Sequence, residues 1–382
     1  MQYVPFGKTG KMVSRLGFGT MRLPTLQNEQ GATVIDREEA IRMLRYAIDR
    51  GVNYVDTAYP YHQGESEVVT GLALKNGYRE KVMLTSKLPQ WLVEEPADMD
   101  KYLDEQLKKL NVACLDFYLL HALDLDAFHR LQSLNYKVFL KRAQADGRIR
   151  HVGFSFHDDK EAFREILTDY DWDMAQIQFN YLDDENQATL EGLLYAGQLG
   201  IPVAVMEPLR GGALANPPPE VEKLVRENNN GYSPVEWAFR YCGHYPEVAT
   251  ILSGMSTMQQ VEDNLRIFEA VASHNLDEGD EAFVKRLKEA YLSRMKVGCT
   301  ACGYCQPCPQ GVLIPEIFER YNVAHMLSRQ EAFVRQYRKI IKKERDGVRC
   351  VACRQCEAIC PQHLPIIKWL ETIDQEVRAD AG

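Results

Sequence analysis

The chain has 382 residues, 45% of them hydrophobic, which is long enough for one barrel domain with an appendage or for two or three smaller domains. Its 45 Lys and Arg against 54 Asp and Glu give a formal net charge of −9, which argues against nucleic acid as a partner. The N-terminus lacks an apolar signal sequence and nowhere do 18 apolar residues run together, so we expect a soluble, cytoplasmic protein with no membrane partner.

Apolar runs and helical periodicities alternate along most of the chain. The first predicted strand, 13–19, contains Gly17-Phe18-Gly19 without the third glycine of a dinucleotide-binding fingerprint, which disfavours a doubly wound fold. A helix is predicted at 36–50, with Asp36 as its N-cap. Further strands are predicted at 53–58, 82–87, 115–121, 151–155, 175–180, 202–207 and 248–253, and further helices at 66–75, 98–110, 127–145, 160–167, 187–199, 221–227, 234–242 and 257–268. Eight mostly apolar strands separated by helices predict a parallel sheet closed into a (β/α)8 TIM barrel.

Three successive predicted strands end in a polar residue. Asp56 lies near the end of the second strand, Lys87 closes the third 31 positions later, and His121 closes the fourth after a further 34. Each interval is close to the roughly 30 residues of one strand-helix-strand unit, so we expect the three side chains on one rim of the barrel. Tyr61 follows Asp56 by five residues. The C-terminal rim of such a barrel is where chemistry is done.

These residues resemble the aldo-keto reductase superfamily. The family pattern D-T-A-x-x-Y stands at 56–61, followed by strands that end in Lys87 and His121, and the likeness covers about Tyr3 to Phe268. Flanking segments are also similar, at 16–22, 147–153, 178–180 and 208–212. The resemblance implies an NAD(P)H-dependent oxidoreductase that interconverts a carbonyl and an alcohol on a small-molecule substrate.

The resemblance assigns Asp56, Tyr61, Lys87 and His121 as catalytic residues, and their chemistry suits carbonyl reduction. That reaction needs a hydride donor, a proton donor at the carbonyl oxygen, and groups that stabilise negative charge there. Tyr61 is the expected proton donor, and its pKa, near ~10 when free, would be lowered by the Lys87 cation. Asp56 would fix the lysine, and a neutral His121 would orient the carbonyl. Taken singly, these residues also suit a helix cap, a packed tyrosine, a surface lysine and a core histidine.

The resemblance further implies a set of nucleotide contacts. Ser155 and Gln178 would hold the nicotinamide amide, and the Met206 thioether would cover the ring where many members have an aromatic residue. The implied cofactor-binding residues are Gly19, Thr20, Met21, Asp56, Ser155, Gln178, Met206, Leu209, Gly211, Ser256, Gln260, Asp263 and Asn264. Gly254 and Gln260 replace family cations that contact a 2′-phosphate, so the choice between NADH and NADPH stays open. His157 is a candidate substrate contact, with a structural role as the alternative.

Eight of the ten cysteines form an internal repeat after a predicted helix at 276–294. The ligand candidates are Cys299, Cys302, Cys305, Cys308, Cys350, Cys353, Cys356 and Cys360. Three cysteines at two-residue spacing hold one face of an iron-sulfur cluster, while the fourth, before proline, ligates the other cluster. Zinc sites would use two separated pairs instead. The repeat resembles bacterial two-cluster ferredoxins, with a shorter spacing before Cys308, and implies two 4Fe-4S clusters. Cys114 and Cys242 have no motif partner and are expected in the core.

We therefore expect a barrel at 1–275, a connecting helix at 276–297 and a ferredoxin-like 4Fe-4S domain at 298–382. Nicotinamide gives two electrons as hydride whereas a cluster takes one, and no flavin fingerprint is visible. A structural role is thus favoured, in which the clusters fold a unit too small for its own core. The alternative is an electron port served by a ferredoxin or other redox partner.

A second class of function is an electron-transfer or regulatory iron-sulfur protein whose barrel binds nucleotide with little turnover. The complete set of four rim residues favours the enzyme. The insert at 312–347 is predicted to be helical and to end in a basic run at 335–345. We expect that run to be a solvated helix face, with a docking patch for an acidic partner as the alternative.

Overall fold

The computed structural model describes residues 1–228 and 230–379. These divide into two compact units, one formed by Met1–Leu214 with Val235–Glu281 and the other by Ala215–Pro234 with the chain from Ala282 onward. Among the described residues, no helix is long and apolar enough to cross a membrane.

The first unit is a closed barrel of eight parallel strands, which confirms the predicted TIM barrel. Its strands in chain order are Leu16–Gly19, Tyr54–Asp56, Met83–Leu88, Leu115–Leu123, Ile149–Phe156, Met174–Gln178, Val203–Met206 and Val248–Gly254. Each strand pairs with the next, and the last closes onto the first with Gly254 opposite Gly19. Two separate antiparallel pairs are formed by Tyr3–Pro5 with Met12–Ser14 and by Thr25–Gln27 with Thr33–Ile35.

Helices alternate with the barrel strands, at Arg37–Asp49, Glu65–Ala73, Pro96–Leu110, Leu125–Ser133, Tyr136–Ala145, Lys160–Asp169, Thr189–Gln198, Pro234–His244 and Met258–Ile267. Short 3₁₀ turns lie at Gly7–Thr9, Thr20–Arg22, Tyr61–Gly64, Arg79–Lys81 and Gln90–Leu92. Asp36 caps the first helix as predicted, accepting from the Glu39 amide. The single helix predicted at 127–145 is wrong. Asn135 breaks it with a φ of 58°, a left-handed conformation that an α-helix of L-residues does not continue through.

Aromatic side chains fill the barrel at the end where its strands begin. Phe6, fully buried, lies with its ring 5.7 Å from that of Tyr54 and 4.8 Å from that of Phe117. Tyr54 and Phe117 lie at or near the starts of the second and fourth strands. The N-terminal segment thus closes the interior at that end, so the polar residues that follow the strands lie at the other.

The two cysteines outside the repeat lie in the first unit and differ in burial. Cys242 is fully buried, as expected, and its Sγ contacts the Phe179 carbonyl oxygen at 3.3 Å. Cys114 is only half-buried, beside the start of the fourth strand, so its prediction as a core residue is wrong. It borders a cavity of about 720 Å³ whose lining includes Arg79 and Arg150.

The second unit has a hydrophobic core of its own. Its helices are Pro219–Glu227, Ile314–Met326, Gln330–Lys342, Gln355–Ala358 and Ile366–Ala379, with a 3₁₀ turn at Gly347–Arg349. The helix Glu278–Leu292 begins in the first unit and belongs to the second from Ala282 onward. Phe318, Tyr337 and Leu370, each at most 1% exposed, come from three of these helices. The expectation that this segment is too small for a core is therefore wrong, because the helical insert between the two cysteine runs supplies much of one. Cys299, Cys305, Cys308, Cys350, Cys356 and Cys360 pack against it.

Candidate active site

The structure brings the four predicted catalytic residues together at the C-terminal rim of the barrel. Asp56 ends the second strand, Lys87 is the penultimate residue of the third, and His121 lies near the end of the fourth. Parallel pairing sets Lys87 opposite Leu119, two residues before His121. Tyr61 begins a turn in which the next two residues have φ of 49° and 59°, so the chain reverses sharply before the following helix. Local strand pairing and this turn therefore place the four side chains.

Lys87 is the centre of the set. Its Nζ donates to Asp56 Oδ1 at 2.6 Å and to the Thr57 carbonyl oxygen at 2.9 Å, and it lies 3.5 Å from the Tyr61 hydroxyl oxygen. The Lys87 and Asp56 side chains are 1% and 3% exposed, so the ion pair is shielded from water. The His121 ring stands edge-on to the Tyr61 ring, with 6.1 Å between centroids. A cation, a phenol and an imidazole thus meet at one point.

Burial and mutual attraction set the charges of the pair. Burial raises the pKa of Asp56, and the Lys87 ammonium offsets part of that rise. Burial alone would lower the pKa of Lys87, but attraction to Asp56 and to Tyr61 outweighs it and raises that pKa above its usual value. Lys87 is therefore an ammonium at neutral pH.

His121 is neutral, as the sequence predicts. Burial, followed by the nearby Lys87 charge, lowers the pKa of His121 well below 6.5. Its Nδ1 is buried and finds no hydrogen-bond partner in the described part of the chain, and neither does Asp56 Oδ2. A buried polar atom without a partner costs free energy, so both atoms suit a polar ligand.

Tyr61 departs from the sequence-based expectation. Burial raises its pKa above the usual 10.0, and Lys87 offsets this only in part. Lys87 lowers this pKa as the sequence predicts, but burial, which spacing does not reveal, outweighs it and leaves the net pKa above its usual value. The Lys87 Nζ is already bound to Asp56 and Thr57 and lies at the limit of hydrogen-bonding distance from the phenol. Tyr61 is a protonated phenol at neutral pH, with a cation ready to stabilise its conjugate base.

A buried hydrogen-bond network, not foreseen from the sequence, holds the third strand in place behind Lys87. Gln106 Nε2 donates to the Lys87 carbonyl oxygen at 3.0 Å and to Glu67 Oε1 at 2.6 Å. Ser86 Oγ donates to the same Glu67 oxygen at 2.6 Å, and the Tyr118 hydroxyl donates to Gln106 Oε1 at 2.7 Å. Glu67 is fully buried. The sequence signal that could have revealed this network is Glu67 itself, a charged residue on the apolar side of the helix Glu65–Ala73.

The predicted nicotinamide contacts lie at the ends of the fifth and sixth strands. Ser155 Oγ accepts from the Ala122 amide at 2.7 Å and keeps its own proton to donate. Gln178 donates to Asp183 Oδ2 at 3.0 Å and accepts from Gln187 Nε2 at 3.2 Å. Ser155 can therefore bind a ligand amide directly. Gln178 would first have to give up its hydrogen bond with Asp183 or with Gln187.

The other predicted nucleotide contacts divide between buried and accessible positions. Thr20 is fully buried and donates to the Asp56 carbonyl oxygen at 3.1 Å, whereas Met21 is 56% exposed. Asn264 is buried and donates to Ser253 Oγ at 2.9 Å. The positions around the rim and its loops are Gly19 at the end of the first strand, Met206 at the end of the seventh, Leu209 and Gly211 in the next loop, Ser256 after the eighth strand, and Gln260 and Asp263 on the following helix.

Arg22 is a cation between two loops of the rim that the sequence did not single out. A Cβ added at Gly211, which has φ of 62°, would come 3.3 Å from Arg22 Nη2, and one added at Gly254 would meet the Arg22 stem at 3.2–3.3 Å. The Ser256 hydroxyl donates to the Arg22 carbonyl oxygen at 2.8 Å. Guanidinium, loop amides and glycines suit a phosphate group. Arg210, by contrast, is paired with Asp183 at 3.2 Å.

Two side chains border His121 on the rim. The Trp91 ring lies 5.2 Å from the His121 ring and is 45% exposed. His157 bonds to Gln187 Oε1 at 3.2 Å, and burial lowers the pKa of His157. Trp91 was not foreseen, although it stands four residues after Lys87 in the loop that leaves the third strand.

The eight cysteines of the repeat line two cavities in the second unit. One is lined by Cys299, Cys302, Cys305 and Cys360, and the other by Cys305, Cys308, Cys350, Cys353 and Cys356. Each cavity receives three cysteines of one run and the cysteine before proline of the other, and Cys305 borders both cavities. Among the described residues, no group of three or more His, Cys, Asp or Glu side chains lies close enough to hold a single metal ion. Four thiols around one cavity and five around the other fit a larger iron-sulfur group.

Known proteins resemble both parts of the chain. Residues 15–278 match the family model described as Aldo/keto reductase family, and residues 298–364 match a 4Fe-4S dicluster domain. NADH-specific methylglyoxal reductase from Escherichia coli (strain K12) is 25% identical over 339 residues, covering 76% of this chain and 99% of that protein. The holo form of an aldo-keto reductase from Bacillus halodurans is 27% identical, with a TM-score of 0.63 over 75% of this chain and 96% of that one. An aldo-keto reductase from Klebsiella pneumoniae in complex with NADPH, 22% identical over 75% and 95% with a TM-score of 0.60, shares the fold.

Proposed function

The chain belongs to the aldo/keto reductase family, and we propose that it is a cytoplasmic NAD(P)H-dependent oxidoreductase that interconverts an aldehyde or ketone and its alcohol. The observation that carries this proposal is the buried contact of Lys87 with Asp56 at 2.6 Å and with Tyr61 at 3.5 Å, beside a neutral His121. A bound nicotinamide supplies the hydride, which is the two-electron part of the chemistry.

The chain's own residues supply the proton and the charge stabilisation. Tyr61 gives its phenolic proton to the carbonyl oxygen, and Lys87 stabilises the phenolate that remains until solvent returns a proton. Asp56 keeps Lys87 charged and in place. His121 faces the same point and donates a hydrogen bond to the substrate oxygen as negative charge develops there. In the alcohol-oxidising direction, the Tyr61 phenolate accepts the proton.

For the nucleotide, Ser155 would bind the nicotinamide amide, and the loop with Leu209 and Gly211 would bind the phosphates with help from Arg22. Gly254 and Gln260 provide no cation for a 2′-phosphate, which supports the use of NADH as well as NADPH. The Escherichia coli relative is named NADH-specific, in accord with that reading.

The second unit would hold two 4Fe-4S clusters. We assign Cys299, Cys302, Cys305 and Cys360 to the first and Cys308, Cys350, Cys353 and Cys356 to the second. These sets line the two cavities, and Cys305, which borders both, joins the first because three cysteines at two-residue spacing hold one cluster. For the functional domains we propose the boundaries predicted from the sequence, a barrel at 1–275, a connecting helix at 276–297 and a cluster domain at 298–382, although the compact second unit also takes in Ala215–Pro234 and begins its last part at Ala282. Cys302 and Cys353 are exposed, so a redox partner could approach both cluster sites, and this supports electron transfer as the second candidate function.

An anaerobic activity screen tests the proposal. Purified protein with its clusters is supplied with aldehydes, ketones and alcohols, each with both nicotinamide nucleotides, and turnover is followed by nucleotide absorbance. We expect reduction of at least one carbonyl class, and loss of that activity in Tyr61→Phe. Nucleotide binding without turnover of any compound would favour the electron-transfer function.

A further inference from the structure

The second cysteine cavity is bordered by a surface that is both cationic and apolar. Val351, Arg354 and Ile359 line this cavity, and Val348 and Arg349 immediately precede its Cys350. Arg345 Nε donates to the Gly311 carbonyl oxygen at 3.0 Å, next to the lining residue Gln310. We call these six residues the cluster rim: Arg345, Val348, Arg349, Val351, Arg354 and Ile359.

The apolar members of the cluster rim are unusually exposed. Val348, Val351 and Ile359 are 59%, 62% and 55% exposed, although the unit buries other aliphatic residues in its core. Cys353, between two of them in the chain, is exposed as well. Exposed aliphatic side chains beside a polar edge are typical of a surface that a partner covers.

The charge of this segment is opposite to that of the whole chain. Residues 335–354 carry eight Lys and Arg against two carboxylates, in a chain with a formal net charge of −9. Of the two carboxylates, Glu344 pairs with Arg349, and Asp346 is 3% exposed and caps the Val348 amide. The Arg354 side chain has no partner in the described part of the chain. Within 345–359 the third carboxylate near the cavity, Glu357, is half-buried, and its Oε1 accepts from the Ile367 amide at 3.0 Å. The cluster rim therefore presents net positive charge to solvent through Arg345 and Arg354.

The first cysteine cavity has no such border. Its lining contains no Lys, Arg, Asp or Glu, and includes Thr300, Tyr304, Pro315 and Gln362 besides its four cysteines. The positive charge is thus specific to the second cavity and does not follow from cluster binding as such. Because the unit also has its own core, clusters are not needed merely to replace one.

We propose that the cluster rim is the docking surface for a small acidic one-electron carrier protein, which reduces the cluster in the second cavity. This rests on the proposed assignment of Cys308, Cys350, Cys353 and Cys356 to that cluster. The arginines steer an acidic partner, and the exposed aliphatic residues exclude water where the two redox centres approach. In the step, the carrier loses one electron and the cluster gains it, with no proton transferred.

The test uses the full-length protein with its clusters and, as probe, an acidic plant-type 2Fe-2S ferredoxin reduced chemically under anaerobic conditions. Freeze-quench EPR separates the two cluster types and gives the second-order rate constant. Analytical ultracentrifugation of the oxidised proteins gives binding without turnover. Arg345→Glu/Arg354→Glu is compared with a matched control, Arg335→Glu/Arg338→Glu, which makes the same charge change at two exposed helix positions away from the cavity.

We expect the wild-type rate and binding to fall with ionic strength. The rim variant should lose roughly tenfold or more in the rate constant, within the range of electrostatic steering, while the control loses much less. An equal loss in both variants, or no transfer from ferredoxin to the wild type at low salt, would overturn the docking proposal. A salt-sensitive dimer of the chain alone that the rim variant abolishes would also overturn it, because a second copy would then cover the surface.

Dithionite separates this proposal from the assignments on which it rests. As a small reductant it should bleach the cluster absorbance of wild type and variants alike. A wild type without cluster absorbance before dithionite is added would overturn the cluster assignment and the docking proposal with it. Absorbance that persists in dithionite would overturn the docking proposal alone, because a carrier protein could not then reduce a cluster of so low a potential. Carbonyl reduction with NAD(P)H, measured on the same samples, reports on the barrel separately, so loss of docking with intact carbonyl reduction leaves the proposed enzyme standing.

Discussion

Removing one member of the Asp56 and Lys87 pair should destabilise the barrel strongly. Lys87→Met leaves the Asp56 carboxylate in a site where no described residue forms a hydrogen bond with its Oδ2, and Asp56→Asn leaves a buried ammonium. Loss of one partner of a buried ion pair typically costs about 3–5 kcal/mol. The double variant Asp56→Asn/Lys87→Met removes both charges, so its cost should fall below the sum of the single costs by at least ~2 kcal/mol.

The stability of Lys87→Met should also depend on pH in a defined direction. Without the lysine, burial raises the pKa of Asp56 unopposed, so its folded-state pKa lies further above its unfolded value. A group of this kind stabilises the fold below its unfolded pKa and loses that contribution as pH rises through its folded pKa. The variant should therefore be closer to wild type near pH 5 than near pH 8.

Urea unfolding followed by tryptophan fluorescence measures these free energies, because Trp172 and Trp237 are buried in the barrel unit. The control pair is Lys81 and Asp49, which lie 2.9 Å apart with side chains 50% and 45% exposed. Lys81→Met should leave the midpoint nearly unchanged, because exposed ion pairs contribute little. Single costs under ~1 kcal/mol that add in the double variant would refute a buried, mutually dependent pair.

Three further predictions concern His121, the nucleotide and the clusters. Because the folded-state pKa of His121 lies well below 6.5, the unfolded state binds more protons, and the free energy of unfolding falls as pH drops below 6.5. His121→Asn should therefore lose less stability than wild type between pH 7.5 and 5.5. Equal slopes of unfolding free energy against pH, measured by urea titration, would contradict this. The binding free energies of NADH and NADPH should differ by under ~2 kcal/mol. Arg22→Ala should weaken the binding of both nucleotides by ~10-fold or more, since a charged hydrogen bond is worth about 1.5–3 kcal/mol. Fluorescence titration measures both affinities, and a thousandfold preference for NADPH would contradict the first of these predictions. Cys360→Ser should lose about half the bound iron while Cys114→Ser keeps all of it, and full iron retention in Cys360→Ser would count against our assignment of that cysteine.

The barrel could be predicted because its signals are local and repeated. Eight apolar strands alternate with helices, and the spacing of Asp56, Lys87 and His121 by one strand-helix-strand unit places them on one rim without any knowledge of distances. The break at Asn135 could not be predicted in the same way, because apolar periodicity continues through it and only the left-handed backbone of one residue interrupts the helix.

The rest of the site depends on contacts between distant parts of the chain. Arg22 lies beside Gly254 only because the barrel closes and pairs Gly254 with Gly19. The pKa of Tyr61 depends on how deeply the phenol is buried and on where Lys87 directs its hydrogen bonds, neither of which spacing reveals. The core of the second unit arises where helices 314–326, 330–342 and 366–379 meet, and cysteine spacing says nothing of it.

Deuterium transfer tests the central claim most directly. The wild-type protein is incubated anaerobically with 4-deuterated NADH or NADPH and a carbonyl found in the screen, and the product is analysed by mass spectrometry beside Tyr61→Phe and the control Tyr59→Phe. Both C4 hydrogens of the nucleotide are deuterium, so that whichever face transfers the hydride delivers label. We predict one deuterium on the carbinol carbon for wild type and Tyr59→Phe, whose parent hydroxyl is bonded to Glu105, and a rate at least ~100-fold lower for Tyr61→Phe with nucleotide still bound. Alcohol without deuterium, or equal rates in wild type and Tyr61→Phe, would contradict hydride transfer with Tyr61 as the proton donor.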